Sequence, residues 1–195
     1  PDNVNDVTPA IERAYRAHIP VILFDRKVKT PHYTASIGGD NVEAGREVAR
    51  FLVRKLDGKG TVVEITGLKD ASPVIERHRG FHEVMKNCPG IKVVTLDSNW
   101  KLERAQELMK QYLDKGGHAD GVFGHSDLGA IGAFLEAERR GIDKQMLIVG
   151  IDGLPGEWEG VDRVKRGQFA ASYVYPTQGE KIMELAMNIL QGKPY

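Results

Sequence analysis

Short, unbroken apolar runs return along this chain with helical patterns between them, and that alternation admits few folds. The runs are "PVILF" (20–24), "YTASI" (33–37), "TVVEIT" (61–66), "KVVTL" (92–96), "GVFG" (121–124), "MLIVGI" (146–151) and "FAASYVY" (169–175). From Thr61 onward their starts lie roughly 23 to 31 residues apart, the length of one strand–helix unit. Continuous Val/Ile runs, unlike alternations of apolar and polar residues, read as parallel strands buried on both faces.

The segments between the runs carry helix signals. "DNVEAGREVARFLVRKL" opens on Asp40-Asn41, places Val42, Val48, Phe51, Leu52 and Leu56 on or near one face, and stops at Gly58. "SPVIERHRGFHEVMKN" has Ser72 as N-cap and Pro73 at the first helical position. "SDLGAIGAFLEAERRG" opens on Ser126 or Asp127, both N-cap material, and ends at Gly141; for Asp127 a capping role is expected over a ligand-binding one. "TQGEKIMELAMNILQG" opens on Thr177 and closes on Gly192. The expected fold class is therefore α/β, with doubly wound parallel sheets.

Composition narrows the function classes. The 195 residues are 41% hydrophobic and 28% charged, an ordinary globular mixture. Twenty-seven acids balance twenty-seven bases, so no global field favours nucleic acid or an anionic membrane. No apolar run approaches the ~20 residues of a spanning helix. The lone Cys88 excludes an internal disulfide and offers no zinc set; it reads as a structural cysteine.

In open α/β sheets, ligands bind at the carboxyl ends of the strands. Those ends carry Asp25-Arg26, Thr66-Gly67, Asp97-Ser98-Asn99-Trp100, Gly124-His125-Ser126-Asp127, Asp152-Gly153 and Tyr175-Pro176. Enzyme motifs fail there. No G-x-G-x-x-G follows a strand, and no P-loop occurs. "GHSDLG" is one residue too long for a nucleophile elbow, and His125, Ser126 and Asp127, being adjacent, cannot face one another as a triad. The rim has no Cys/His metal set, and neither metal nor cofactor is expected.

The same inventory suits a neutral polyhydroxy ligand. A carboxylate accepts from two vicinal hydroxyls, and an Arg fork donates to two oxygens in fixed geometry. A Trp face covers the apolar C–H face of a sugar ring.

"IPVILFDR", "IGGDNVEAG", "ERHRGF", "NWKLERAQELM", "VFGHSDLGAIGA", "VGIDGLP" and "ASYVYPTQGEK" resemble, in order and spacing, the type I periplasmic sugar-binding proteins, ribose-binding proteins among them. "GLKDASPVIERHRGF" and "YPTQGEKIMELAMNILQGKPY" look closest to periplasmic sensor domains of Bacteroides-type hybrid two-component regulators. The resemblance implies two α/β lobes that clamp a monosaccharide. Residues 1–38 and 176–195 would form a partial N-lobe lacking its first strands, and 39–175 a complete C-lobe.

By the same resemblance, Asp25 and Arg26 hold sugar hydroxyls, Trp100 stacks on the ring, and Ser126 replaces a frequent Asn. Asp152 matches a hydroxyl-binding Asp, and Tyr175 stands where ribose binders have Gln. Gly39 occupies a position where a small polar residue often touches sugar. Ile75 stands where many relatives have Arg, a loss that Ser72 or Asp70 could offset. Arg77 and Arg79 read as helix-surface or structural pairs. The function implied is a non-catalytic, periplasmic, monosaccharide-binding sensor domain. Its parent would be membrane-anchored, homodimeric and equipped with a histidine kinase, and would not bind nucleic acid. The alternatives are a soluble component of an ABC importer and the effector domain of a lactose-repressor-type regulator.

Overall fold

The computed structural model describes residues 4–194; residues 1–3 and Tyr195, at the outer ends of the expected N-lobe pieces, lie outside the described residues. In chain order the elements are α1 (Thr8–Arg16), β1 (Ile22–Phe24), β2 (Ala35–Ile37), α2 (Asn41–Lys55), β3 (Gly60–Thr66), α3 (Ser72–Met85), β4 (Ile91–Asp97), α4 (Leu102–Asp114), β5 (Gly121–Gly124), α5 (Asp127–Arg139), β6 (Leu147–Asp152), α6 (Gly160–Lys165), β7 (Ala171–Val174) and α7 (Gly179–Leu190). They gather into two compact units. The larger takes Asn41–Lys69 and Val74–Tyr175; the smaller takes the chain up to Asp40, Asp70–Pro73, and the chain from Pro176.

The larger unit is built on a five-stranded, all-parallel sheet in the order β4-β3-β5-β6-β7. Side chains alternate across it with the period of two that a strand imposes. Val63, Ile65, Val122 and Ile148 pack with Ala105 and Met109 of α4 and Ile131 and Phe134 of α5. Their neighbours Val62, Phe123, Val149 and Ile151 pack on the other face with Val48 and Leu52 of α2 and Phe81 and Met85 of α3. Each fully buried Leu or Phe of these layers contributes about 1.5–3 kcal/mol. Apolar strands covered on both faces are the reason the runs read as unbroken. Cys88 packs against the second layer, as a structural cysteine would.

Helices α2 and α3 meet at two glycines. A Cβ on Gly80 would lie 1.9 Å from the Val42 carbonyl oxygen, and one on Gly45 would lie 2.2 Å from that of Arg77. The two backbones approach closely because neither position carries a side chain.

In the smaller unit, β1 and β2 pair in parallel, Ile22 with Ala35 and Phe24 with Ile37. Both are shorter than their apolar runs. Pro20 has no amide to donate, and the Val21 N–H goes to Thr34 Oγ1 (2.9 Å) instead of a ladder carbonyl. Helix α7 starts later than Thr177, because Gln178 in the N-cap position adopts a left-handed conformation (φ 50°), and its side chain makes no capping hydrogen bond. Among the described residues no helix is long and apolar enough to cross a membrane.

Candidate functional site

The strand order of the larger unit reverses direction between β3 and β5: β4 lies to one side of β3, and all later strands lie to the other. A crevice opens at the carboxyl ends of strands on either side of such a switch. The loops after β3, β4 and β5 supply the residues there.

After β4, Ser98 is buried and donates both its N–H (3.0 Å) and its hydroxyl (2.7 Å) to the Thr66 carbonyl at the end of β3. The next two residues, Asn99 (φ 56°) and Trp100 (φ 64°), are both left-handed. A bulky side chain at positive φ is strained and persists only where its surroundings hold it. Here the indole returns over Gly67, where a Cβ would come within 2.0 Å of the ring.

Arg77 of α3 is 4% exposed, so it is not a surface base. It belongs to the buried face of α3, in register with Val74, Phe81 and Met85. Its Nε donates to Asn41 Oδ1 (2.8 Å) and its Nη1 to the His125 carbonyl. The guanidinium sits 6.0 Å from the Trp100 ring centroid and 5.0 Å from that of Tyr175, within cation–π range of both. Asn41 closes the group by donating from Nδ2 to the Tyr175 hydroxyl (3.2 Å). Trp100 and Tyr175, distant in sequence, are thus brought to one cation.

Ser126 and Asp152 are joined through Asp127. Ser126 is the N-cap of α5, its Oγ accepting from the Gly129 N–H at 3.3 Å. The expectation that Asp127 caps this helix is corrected. Asp127 is the first helical residue and buried, and its carboxylate accepts from the Ser172 hydroxyl (2.7 Å) and the Gly153 N–H (2.9 Å). Burial pushes its pKa up, and these two hydrogen bonds oppose the rise. Gly150 and Gly160 leave room for it, since a Cβ on either would lie 2.0 Å from a carboxylate oxygen. The Asp127 N–H in turn donates to Asp152 Oδ2 (3.3 Å). Asp152 ends β6 at φ 136°, a rare conformation for a non-glycine residue.

In the smaller unit, Asp25 follows β1 in a left-handed conformation (φ 65°) and donates its N–H to the Ile37 carbonyl (2.9 Å). Arg26 Nε lies 3.7 Å from Asp25 Oδ2, so acid and base face each other at the strand end. Ser72 Oγ accepts from the Lys27 N–H (2.8 Å). The α3 helix includes Ser72, one position earlier than expected, and this hydroxyl fastens the loop that carries Arg26. Asp70 accepts from the Val4 N–H through its carbonyl (3.3 Å). Ile75 is 47% exposed on α3, and Arg79 is a surface base 3.9 Å from Glu83.

Of the two readings offered for Arg77, helix surface or structural pair, the structure supports the second, and Asn41, expected only at the opening of a helix, is its partner. The 74–77–81–85 spacing puts Arg77 on the apolar face of α3, and that was the available signal.

The sequence matches the family described as periplasmic binding protein domain over residues 1–194. The chain belongs to that family. Its type I α/β architecture, with parallel sheets, is the one the resemblance implied. Among curated proteins, this family member is 33% identical to the xylitol-binding protein of Mycolicibacterium smegmatis over 87% of its own length and 48% of that protein's. It is 29% identical to the ribose import binding protein of Bacillus subtilis, over 99% of its own length and 62% of that protein's. Among solved structures it superimposes on the fructose binding periplasmic domain of a hybrid two-component system with a TM-score of 0.94 and 43% identity, covering 97% of this chain and 63% of that one. The chain therefore spans about half to two thirds of the length of these proteins.

Proposed function

We propose that this chain is part of the monosaccharide-binding periplasmic domain of a hybrid two-component sensor. The observation that carries the reading is the 43% identity over 97% of the chain to a fructose-binding sensor domain, against 33% and 29% to the xylitol-binding and ribose import proteins. In this reading Asp25 and Asp152 accept from sugar hydroxyls, and Arg26 donates from its fork. Trp100 covers the C–H face of the ring, its strained backbone and glycine seat being the kind of pre-set geometry a stacking platform needs. The hydroxyls of Ser72, Ser126 and Tyr175 add hydrogen bonds, and Arg77 positions Trp100 and Tyr175 without itself being assigned a ligand. A sensor of this kind transmits the shift in conformational population that sugar binding imposes on it. The domain is read as a binder and not a catalyst, in a periplasmic parent anchored in the membrane as a homodimer with a histidine kinase.

The test is calorimetry of the complete periplasmic domain against a monosaccharide panel that includes fructose, followed by autophosphorylation of the full-length protein with and without the sugar that binds. Binding with a sugar-dependent kinase response supports the sensor. Binding by a protein whose flanking sequence carries neither membrane span nor kinase favours a second reading, a soluble ABC importer component, which the match to a ribose import protein over 99% of the chain keeps in play. No binding to any sugar overturns both.

A further inference from the structure

Away from the strand-end rim, the middle of the larger sheet holds an anion whose surroundings exceed what its burial requires. Glu64 of β3 has a side chain with no exposure at all. Thr95 Oγ1 donates to its Oε2 (2.9 Å), and His125 Nε2 lies 2.9 Å from its Oε1, so each oxygen already has a donor. His125 is itself fully buried, and burial lowers its pKa, so it donates as a neutral imidazole.

Two further imidazoles converge on the same carboxylate. His78 Nδ1 lies 3.0 and 3.1 Å from the two oxygens, and His82 Nε2 lies 3.1 Å from Oε2. They stand one turn apart on α3, their ring centroids 4.0 Å from each other. Their side chains are 46% and 38% exposed, so this side of the cluster opens to solvent. One atom from each of Glu64, His78 and His82 lies within 4.8 Å of the other two. Burial alone would raise the Glu64 pKa, but its hydrogen bonds with His125 and His82 hold it below the usual carboxylate range.

We propose that Glu64, His78 and His82 form a binding site for a divalent transition-metal ion, zinc by preference. Two imidazole nitrogens and one carboxylate oxygen are a borderline donor set that suits zinc and disfavours magnesium and calcium, which take oxygen ligands. Tetrahedral zinc with bonds of about 2.0 Å spaces its ligand atoms about 3.3 Å apart, close to the separations already present between the carboxylate and each imidazole. The lone pairs needed are at the nitrogens now facing Glu64, and each neutral ring exposes one by carrying its proton on the other nitrogen. Thr95 and His125 remain as outer hydrogen-bonding partners that fix the carboxylate, and the exposed side leaves a fourth position for water. The ion would join α3 to β3 at the residue next to Arg77. The pattern is legible in "HRGFH", where His78 and His82 have the i, i+4 spacing of ligands on one helix face.

Metal-stripped protein is titrated with zinc by calorimetry as wild type, His78→Ala, His82→Ala and the double variant, with circular dichroism to establish that each is folded. Both positions are partly exposed on a helix, where truncation leaves the core in place. The expected result is one zinc per chain, an affinity loss of about ten-fold or more for each single substitution, and a zinc-dependent rise in melting temperature that the double variant lacks. Cobalt should give the visible absorption of a four-coordinate ion in wild type alone. The absence of stoichiometric zinc binding overturns the proposal. So does a folded double variant whose affinity stays within about two-fold of wild type, which would assign the ion to another imidazole such as His118 beside Asp120 (2.9 Å).

Discussion

At the residue scale, the larger unit shows how aromatic and carboxylate groups are held ready at strand ends. Trp100 tolerates positive φ because Gly67 gives its ring a seat and Arg77 lies against it. Trp100→Ala in the complete domain is expected to weaken sugar binding by about 1–3 kcal/mol, read by calorimetry. Unchanged affinity with a lowered melting temperature would instead assign the ring to packing. Arg77→Ala removes donors from the Asn41 side chain and the His125 carbonyl, leaving buried acceptors unmatched. Chemical denaturation should show a stability loss of about 2–4 kcal/mol, and Arg77→Lys should restore only part of it, because an ammonium cannot copy the fork. A loss below about 0.5 kcal/mol would show that the guanidinium braces nothing. Asp25, Arg26 and Trp100 could be proposed from sequence alone, since each lies in the loop that follows an apolar run. Arg77 was hidden because a charged residue inside a helical pattern ordinarily faces water; its partners lie on α2 and beyond β5, and no local pattern names them.

At the element scale, close backbone approach decides the packing of α2 on α3. Replacing Gly80 by Ala gains about 1 kcal/mol of helix propensity but sets a methyl 1.9 Å from the Val42 carbonyl. Overpacking against rigid backbone costs about 1–3 kcal/mol or more, so the penalty wins and the melting temperature should fall. A melting temperature at or above wild type would mean that the helices separate freely. Strands β3 to β6 were legible to within a residue at each end, because burial on both faces makes their runs continuous. Helix starts were less so. Ser126 and Asp127 are both good caps by chemistry, and what separates them is tertiary: Ser172, Gly153, Gly150 and Gly160 make a seat for the Asp127 carboxylate that no local rule reveals. Likewise the Ser72 hydroxyl is engaged by Lys27, far away in sequence.

At the scale of the whole molecule, the chain divides into two units, each with its own residues proposed to contact sugar. The smaller holds Asp25, Arg26 and Ser72, and the larger holds Trp100, Ser126, Asp152 and Tyr175. The parallel-sheet architecture and the family were legible because ordered strand–helix units leave few alternatives, and seven blocks fell in family order. The identity of the sugar was not, since hydroxyl recognition depends on the angles between donors and acceptors more than on which residue types are present. The central claim is that Asp25, at the end of β1, is a sugar-binding carboxylate. Its most direct test is calorimetric titration of the complete periplasmic domain, as wild type and as Asp25→Ala, with the monosaccharide that wild type binds. Loss of a desolvated acceptor should weaken binding by about 2–4 kcal/mol while the fold is retained. An affinity within about two-fold of wild type would contradict the account.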